Sequence, residues 1–109
     1  KSELVKKQQE AALLITAQIE TTAQFCANHN IRYHLIIHPV PHEIRTPDST
    51  LALLKKTLSQ KAYTIDICKE MTAFYQAHDL EKYSLPKNGH FNSMGYWAMG
   101  EIIYKKLPR

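Results

Sequence analysis

Residues 31–37 read IRYHLII, and the predicted fold follows from this short stretch. Its end, Leu35-Ile36-Ile37, is apolar without the alternation of a half-exposed strand, which is typical of a parallel strand covered on both faces. Pro39 and Pro41 follow, and they end the strand because proline has no amide to donate to a sheet. We therefore predict a buried strand over residues 31–37 and a loop over residues 38–46.

Helical patterns surround this strand. Residues 2–28 contain no Gly or Pro and repeat apolar side chains at helical spacing, which predicts a long amphipathic helix that stops at Asn28-His29-Asn30. A second helix is predicted from Pro47-Asp48-Ser49 onward. The remaining pattern predicts a strand over 62–66, a helix over 67–78, a loop over 79–91 and a last helix over 93–107. This alternation indicates a three-layer α/β/α fold with a parallel sheet.

Two strands do not complete such a sheet, since sheets usually need three or more strands for independent stability. The chain also begins with Lys1 rather than Met. We therefore expect these 109 residues to be part of one domain. The missing strands would come from the amino-terminal half of the same domain or from a second copy of the chain.

Composition narrows the classes of protein. Hydrophobic residues make up 44% and charged residues 22%, a balance that argues against disorder. The net charge is +4, but the fourteen Lys and Arg are scattered, so we expect no nucleic-acid partner. Cys26 and Cys68 lack metal-binding spacing. We expect two buried free thiols, and a disulfide stays open as an alternative.

The stretch that carries chemistry is NGHFNSMG, residues 88–95. Histidine can accept and donate a proton near neutral pH, and a loop at the edge of a parallel sheet is where such folds bind ligands. Asn92 or Ser93 can cap the helix that follows, while Gly89 and Gly95 permit a tight backbone. His90 is thus a candidate acid-base residue.

The spacing H-x-N-x-x-G before a final amphipathic helix resembles the last sequence block of the SGNH (GDSL-like) hydrolase and acyltransferase superfamily. His90, Asn92 and Gly95 occupy its fixed positions, and the order of the other segments agrees over nearly the whole chain. The resemblance implies a flavodoxin-like fold, of which residues 1–109 would be the carboxyl-terminal portion.

The resemblance also implies which residues act as nucleophile and as general base. In the family, a serine in a Gly-Asp-Ser block attacks the ester, and the late histidine, here His90, is the general base. An aspartate two or three residues earlier commonly orients that histidine, but Asn88 and Lys87 stand there in this chain. Asn88 can fix the tautomer without stabilising the imidazolium by charge. A Ser-His dyad, a carboxylate such as Asp79 or Glu81, and loss of activity all remain open.

By this resemblance the parent would be a serine esterase or O-acyltransferase that acts, without a cofactor, on acyl groups such as acetyl on a small molecule or glycan. No Gly-Asp-Ser occurs in the sequence, so the isolated chain should be inactive. An inactive interaction or carbohydrate-binding module of the same fold is the alternative, and Asn88 favours it. The resemblance implies a periplasmic or membrane-anchored parent.

Two further histidines, His38 and His42, flank Pro39-Val40-Pro41 beyond the first strand. We expect them to line the rim of the substrate cleft together with Asn92. The three histidines His38, His42 and His90 could instead hold zinc, but their spacing is not that of a helical pair and no Asp or Cys lies near them. We therefore predict no metal site. Tyr96 and Trp97 are expected to pack in the core.

Overall fold

The computed structural model describes residues 2–46, 51–87 and 89–108. Helices account for 67% of the structure and strands for 8%. The elements are, in chain order, α1 (Ser2–Asn28), β1 (Leu35–Ile37), α2 (Pro41–Arg45), α3 (Ala52–Ser59), β2 (Thr64–Asp66), α4 (Cys68–Ala77), a 3-10 helix (Leu80–Tyr83) and α5 (Ser93–Lys106). None of the described helices combines the length and the apolar character needed to cross a membrane.

The predicted three-layer α/β/α fold with a parallel sheet is wrong for this structure. Within the described ranges the sheet has two parallel strands of three residues each. Its hydrogen bonds run from the Leu35 amide to the Tyr63 carbonyl, at 3.0 Å, and from the Ile67 amide to the Ile37 carbonyl, at 2.9 Å. Residues 31–34 lie outside the strand, because an extended segment becomes a strand only where a neighbour satisfies its backbone groups.

The chain divides into two compact units. The first contains Lys1–Leu35 and Asp48–Thr64, and the second contains Ile36–Pro47 and Ile65–Arg109. Each strand therefore begins in the first unit and ends in the second.

In the first unit α1 packs against α3. The hydroxyl of Tyr63 donates to Glu20 Oε1 at 2.7 Å, and Lys61 pairs with the same oxygen at 2.9 Å. Burial, together with the bond to Glu20, raises the pKa of Tyr63 to about 12. The predicted end of the first helix is confirmed, since Asn30 adopts a left-handed φ of 56° just after it.

The second unit holds the best-formed core. Its central residues are Ile67, Met71, Tyr75, Phe91 and Met99, supplied mainly by α4 and α5. Phe91, which the sequence places in a loop, is 2% exposed. Burial raises the pKa of the Tyr75 hydroxyl to about 12. The segment just before α5 is therefore fixed by packing as well as by hydrogen bonds.

A short helix, α2, replaces part of the loop predicted over residues 38–46. Pro41 is the first residue of α2, where its fixed φ suits a helix and its missing amide costs nothing. The Glu43 carboxylate accepts a hydrogen bond from the Val40 amide at 3.1 Å and so caps the helix. The predicted loop is wrong here because proline can begin a helix as well as end a strand. The predicted helix start at residues 47–49 lies outside the described residues.

Candidate functional site

His90 lies on a short antiparallel pairing of residues 83–85 with residues 90–92, which we call the histidine clip. The carbonyl oxygen of His90 accepts a hydrogen bond from the Leu85 amide at 2.9 Å. The residue itself is exposed. The main chain therefore holds this residue in place while the residue stays exposed to solvent.

Phe91 fixes the clip to the core of the second unit. It forms an antiparallel bridge with Ser84, and its ring stacks on Tyr75 with centroids 5.5 Å apart. Successive residues of an extended segment point to opposite sides. Burying Phe91 therefore favours exposure of its neighbour His90.

Asn92 joins the clip to α5. Its Oδ1 accepts a hydrogen bond from the Gly95 amide at 3.0 Å, and its Nδ2 donates to the Lys82 carbonyl at 2.9 Å. Its backbone amide also donates to the Tyr83 carbonyl at 2.9 Å. The expected capping role is confirmed. Asn92 was also expected at a substrate cleft. That role stays a prediction, and the side chain is already engaged in these two hydrogen bonds.

Gly95 lies against the clip with no room for a side chain. A Cβ there would collide with the carbonyl oxygen of Tyr83 and lie 2.7 Å from Cβ of Phe91. The second and third fixed positions of the motif, Asn92 and Gly95, therefore have structural explanations in this chain. His90 alone of the three is exposed.

Arg45 connects α2 to the clip. Its Nη2 donates to Ser84 Oγ at 3.2 Å and to Glu81 Oε1 at 2.9 Å. Ser84 is 5% exposed, and its hydroxyl donates in turn to the Leu80 carbonyl at 3.1 Å. This network could not be predicted from local sequence patterns, since the bonded residues are 36 and 39 positions apart in the chain.

The structure gives different results for the three residues that were expected as possible orienting partners of His90. Asn88 lies outside the described residues, so its orienting role stays a prediction. Asp79 caps the 3-10 helix by accepting from the Glu81 amide at 3.1 Å. Glu81 pairs with Arg45 at 2.9 Å. Both carboxylates that could have replaced the family aspartate thus have structural partners.

His38 and His42 lie near the start of the second unit. His38 is half-buried, and its Nδ1 donates to the Pro39 carbonyl at 2.9 Å, which leaves Nε2 as its acceptor in the neutral ring. His42 is exposed on α2. Among the described residues no three His, Cys, Asp or Glu side chains form a group that could hold a metal. The three-histidine zinc alternative therefore has no support there, and the cleft-rim role of the two histidines stays a prediction.

The two cysteines are free thiols, and both are half-buried rather than buried. Cys68 begins α4, with Sγ 3.9 Å from the Ile37 carbonyl oxygen.

The expectation that Tyr96 and Trp97 pack in the core is wrong. They are 47% and 70% exposed. Trp97 borders an open cleft of about 360 Å³ on the second unit. A sequence signal for this position existed, since Glu101 and Lys105 follow Trp97 at intervals of four residues and place it on a charged face of α5.

Comparisons of the sequence with protein-family models and with curated proteins, and of the structure with solved structures, found no match.

Proposed function

We propose that this chain supplies the general base, His90, of an SGNH-type serine esterase or O-acyltransferase that acts on ester-linked acyl groups such as acetyl. The supporting observation is the histidine clip, in which an exposed histidine is bonded through its main chain to Leu85 directly before α5. Positioned groups of this kind are what acid-base catalysis requires.

The proposed reaction begins when a serine hydroxyl attacks the ester carbonyl. The imidazole of His90 accepts the hydroxyl proton as the new C–O bond forms. The resulting imidazolium then gives that proton to the leaving alcohol, and the acyl group stays on the serine. Water, or an acceptor hydroxyl in a transferase, next attacks the acyl-serine while His90 accepts its proton and returns it to the serine.

The nucleophile in this proposal comes from outside the 109 residues, because they contain no Gly-Asp-Ser. We propose that it lies in an amino-terminal half of the same domain or in a second copy that completes the site. Two observations support a missing neighbour. Over the described residues the sheet has two strands. Helix α1 also exposes large apolar side chains, namely Leu4, Leu13, Leu14 and Phe25, by 56% to 72%.

The second candidate function is a catalytically inactive interaction or carbohydrate-binding module. Asn88 favours it, because an amide in the orienting position lacks the charge that stabilises an imidazolium. The two candidates differ in a simple observable. Only the enzyme has a serine that reacts in a His90-dependent manner.

The test uses the polypeptide that also includes the residues encoded before Lys1, which we call the extended protein. We expect it to hydrolyse an aryl acetate and to be labelled on one serine by a fluorophosphonate. His90→Ala should lower turnover by about 100- to 10,000-fold. His29→Ala, at an exposed histidine after α1, should leave turnover unchanged. Wild-type turnover in His90→Ala would refute the proposed role of His90, and absence of any labelled serine would favour the inactive module.

A further inference from the structure

The open cleft on the second unit is a surface that the proposed acyl-transfer chemistry leaves unused. Its lining includes the aromatic residues Phe74, Tyr83 and Trp97, and its charged members are Glu101 and Lys105. The volume of about 360 Å³ lies within the range usual for small-molecule sites. The cleft is therefore large enough for one ring of a ligand.

Trp97 is the unusual member of this cleft. Its side chain is 70% exposed, and Met94 beside it in the lining is 55% exposed. Large apolar side chains that are gathered at the surface commonly mark a site of interaction. Trp97 lies on the same helix as the buried Ala98 and Met99, so α5 presents it outward while its other face packs in the core.

We propose that this cleft binds a neutral sugar ring of a glycan. The faces of aromatic rings carry partial negative charge, which attracts the weakly positive C–H bonds on one face of a pyranose. Trp97 offers the most exposed aromatic surface of the cleft for such stacking.

The charges in the cleft favour a neutral polyhydroxylated ligand. Glu101 only accepts hydrogen bonds and Lys105 only donates them, whereas a sugar hydroxyl does both. Their opposite charges give the cleft no net preference for an anion or a cation. A fatty acyl chain would satisfy the aromatic walls, but it would desolvate both charged groups without replacing their hydrogen bonds to water.

The cleft adjoins the histidine clip through one residue. Tyr83 lines the cleft, and its carbonyl oxygen accepts the bond from the Asn92 amide. A glycan held on Trp97 would therefore lie beside the segment that carries His90. This last step rests on the proposed function, whereas the binding of sugar does not.

The binding test uses the intrinsic fluorescence of the 109-residue chain, because Trp97 is its single tryptophan. Titration with cellotetraose and with chitotetraose should give a saturable change, with a Kd on the order of 1 mM for at least one of them. Octanoate, as an acyl-chain probe, should give none. Glu101→Ala keeps the indole and should weaken binding about tenfold, the effect of losing a hydrogen bond to a charged group.

Variants at two exposed aromatic positions provide the matched comparison. Their oligosaccharide binding is measured by ligand-observed NMR, which does not depend on the tryptophan signal. Trp97→Ala should abolish binding, while Tyr104→Ala, at an aromatic residue of α5 that is 61% exposed and outside the cleft lining, should bind as the wild type does. Both changes are at the surface, so circular dichroism should show the wild-type helix content.

Three outcomes would overturn the sugar site. The first is the absence of a saturable change with either oligosaccharide at about 10 mM, tenfold above the expected Kd. The second is binding by Trp97→Ala equal to that of the wild type, and the third is saturable binding of octanoate alone. His90→Ala should bind the oligosaccharide normally. Sugar binding by an extended protein that lacks a reactive serine would contradict the proposed enzyme and leave the sugar site standing.

Discussion

The amide of Leu85 donates a 2.9 Å hydrogen bond to the carbonyl oxygen of His90. This bond holds the candidate base by its main chain, so the position of His90 depends on the residues that form the clip. Changes at those residues should alter the stability or the mobility of the clip.

Gly95→Ala should destabilise the protein, because the added methyl group would collide with the Tyr83 carbonyl oxygen and with Phe91. We expect a loss of about 1–3 kcal/mol in the free energy of unfolding, measured by chemical denaturation. Gly100→Ala, in the same helix, has no atom within 4 Å of the added methyl group and should stabilise by up to about 1 kcal/mol. Equal effects of the two changes would refute the close packing described for Gly95.

Arg45→Ala should loosen the histidine clip. The change removes the donor to Ser84 Oγ and the partner of Glu81, while Ser84 keeps its bond to the Leu80 carbonyl. Arg45 is 41% exposed at its side chain, so the loss of global stability should stay below about 1 kcal/mol. Amide exchange of Leu85 should nevertheless become faster. The control is Arg32→Ala, at an exposed arginine of the first unit, which should leave the exchange rate of the Leu85 amide unchanged. An unchanged rate in Arg45→Ala would show that the network does not stabilise the clip.

Glu70 should contribute a stability that depends on pH. Its carboxylate pairs with Lys106 at 2.6 Å, and this bond holds the pKa of Glu70 below its ordinary value of 4.5. A folded-state pKa below the unfolded one means that the stabilisation is present above about pH 4.5 and is lost as pH falls through the folded value. Both side chains are more than a third exposed, so the effect should be at most about 1 kcal/mol.

The measurement is the difference in unfolding free energy between wild type and Glu70→Gln. It should be present at about pH 7 and vanish near pH 3. Lys106→Gln should remove the same pH dependence, and high salt should reduce the difference. A difference that grows on acidification would contradict the lowered pKa.

Asn88→Asp should raise the turnover of the extended protein if residue 88 orients His90. Replacing the equivalent aspartate by asparagine in serine proteases lowers turnover about ten-thousand-fold, which sets an upper limit for the gain. Ser93→Asp is the matched control, because it also converts a neutral side chain into a carboxylate, at an exposed position three residues after His90. Equal rates for Asn88→Asp and Ser93→Asp would show that a nearby negative charge, rather than an orienting carboxylate, is responsible.

The three longest helices, α1, α4 and α5, were predictable because their signals are local. The predicted bounds 2–28, 67–78 and 93–107 correspond to Ser2–Asn28, Cys68–Ala77 and Ser93–Lys106, since helical spacing and end residues are contained within each segment. The strands were predicted too long, as residues 31–37 and 62–66 became Leu35–Ile37 and Thr64–Asp66. A strand depends on partners that are distant in sequence, which periodicity does not report.

In the candidate site, too, local features were predictable from the sequence and long-range contacts were not. Asn92 was predictable as a cap, because its side chain bonds to an amide three residues away. The bridge between Ser84 and Phe91 and the bond from Arg45 were not predictable, since they join segments through turns and long separations. The exposure of Trp97 does not follow from its residue type, since aromatic residues are usually well buried, and only the charged residues at helical spacing on α5 indicate it.

Burial of Phe91 and the close approach at Gly95 also bear on what the pattern H-x-N-x-x-G can diagnose. Two of its three fixed residues, Asn92 and Gly95, hold the junction between the clip and α5. A protein that uses the same junction for any purpose would be expected to have them. Searching for H-x-N-x-x-G therefore selects mainly for an architectural joint. Of the three residues only His90 is exposed in this chain, so a match to the pattern does not by itself distinguish an enzyme from a protein that uses the same joint.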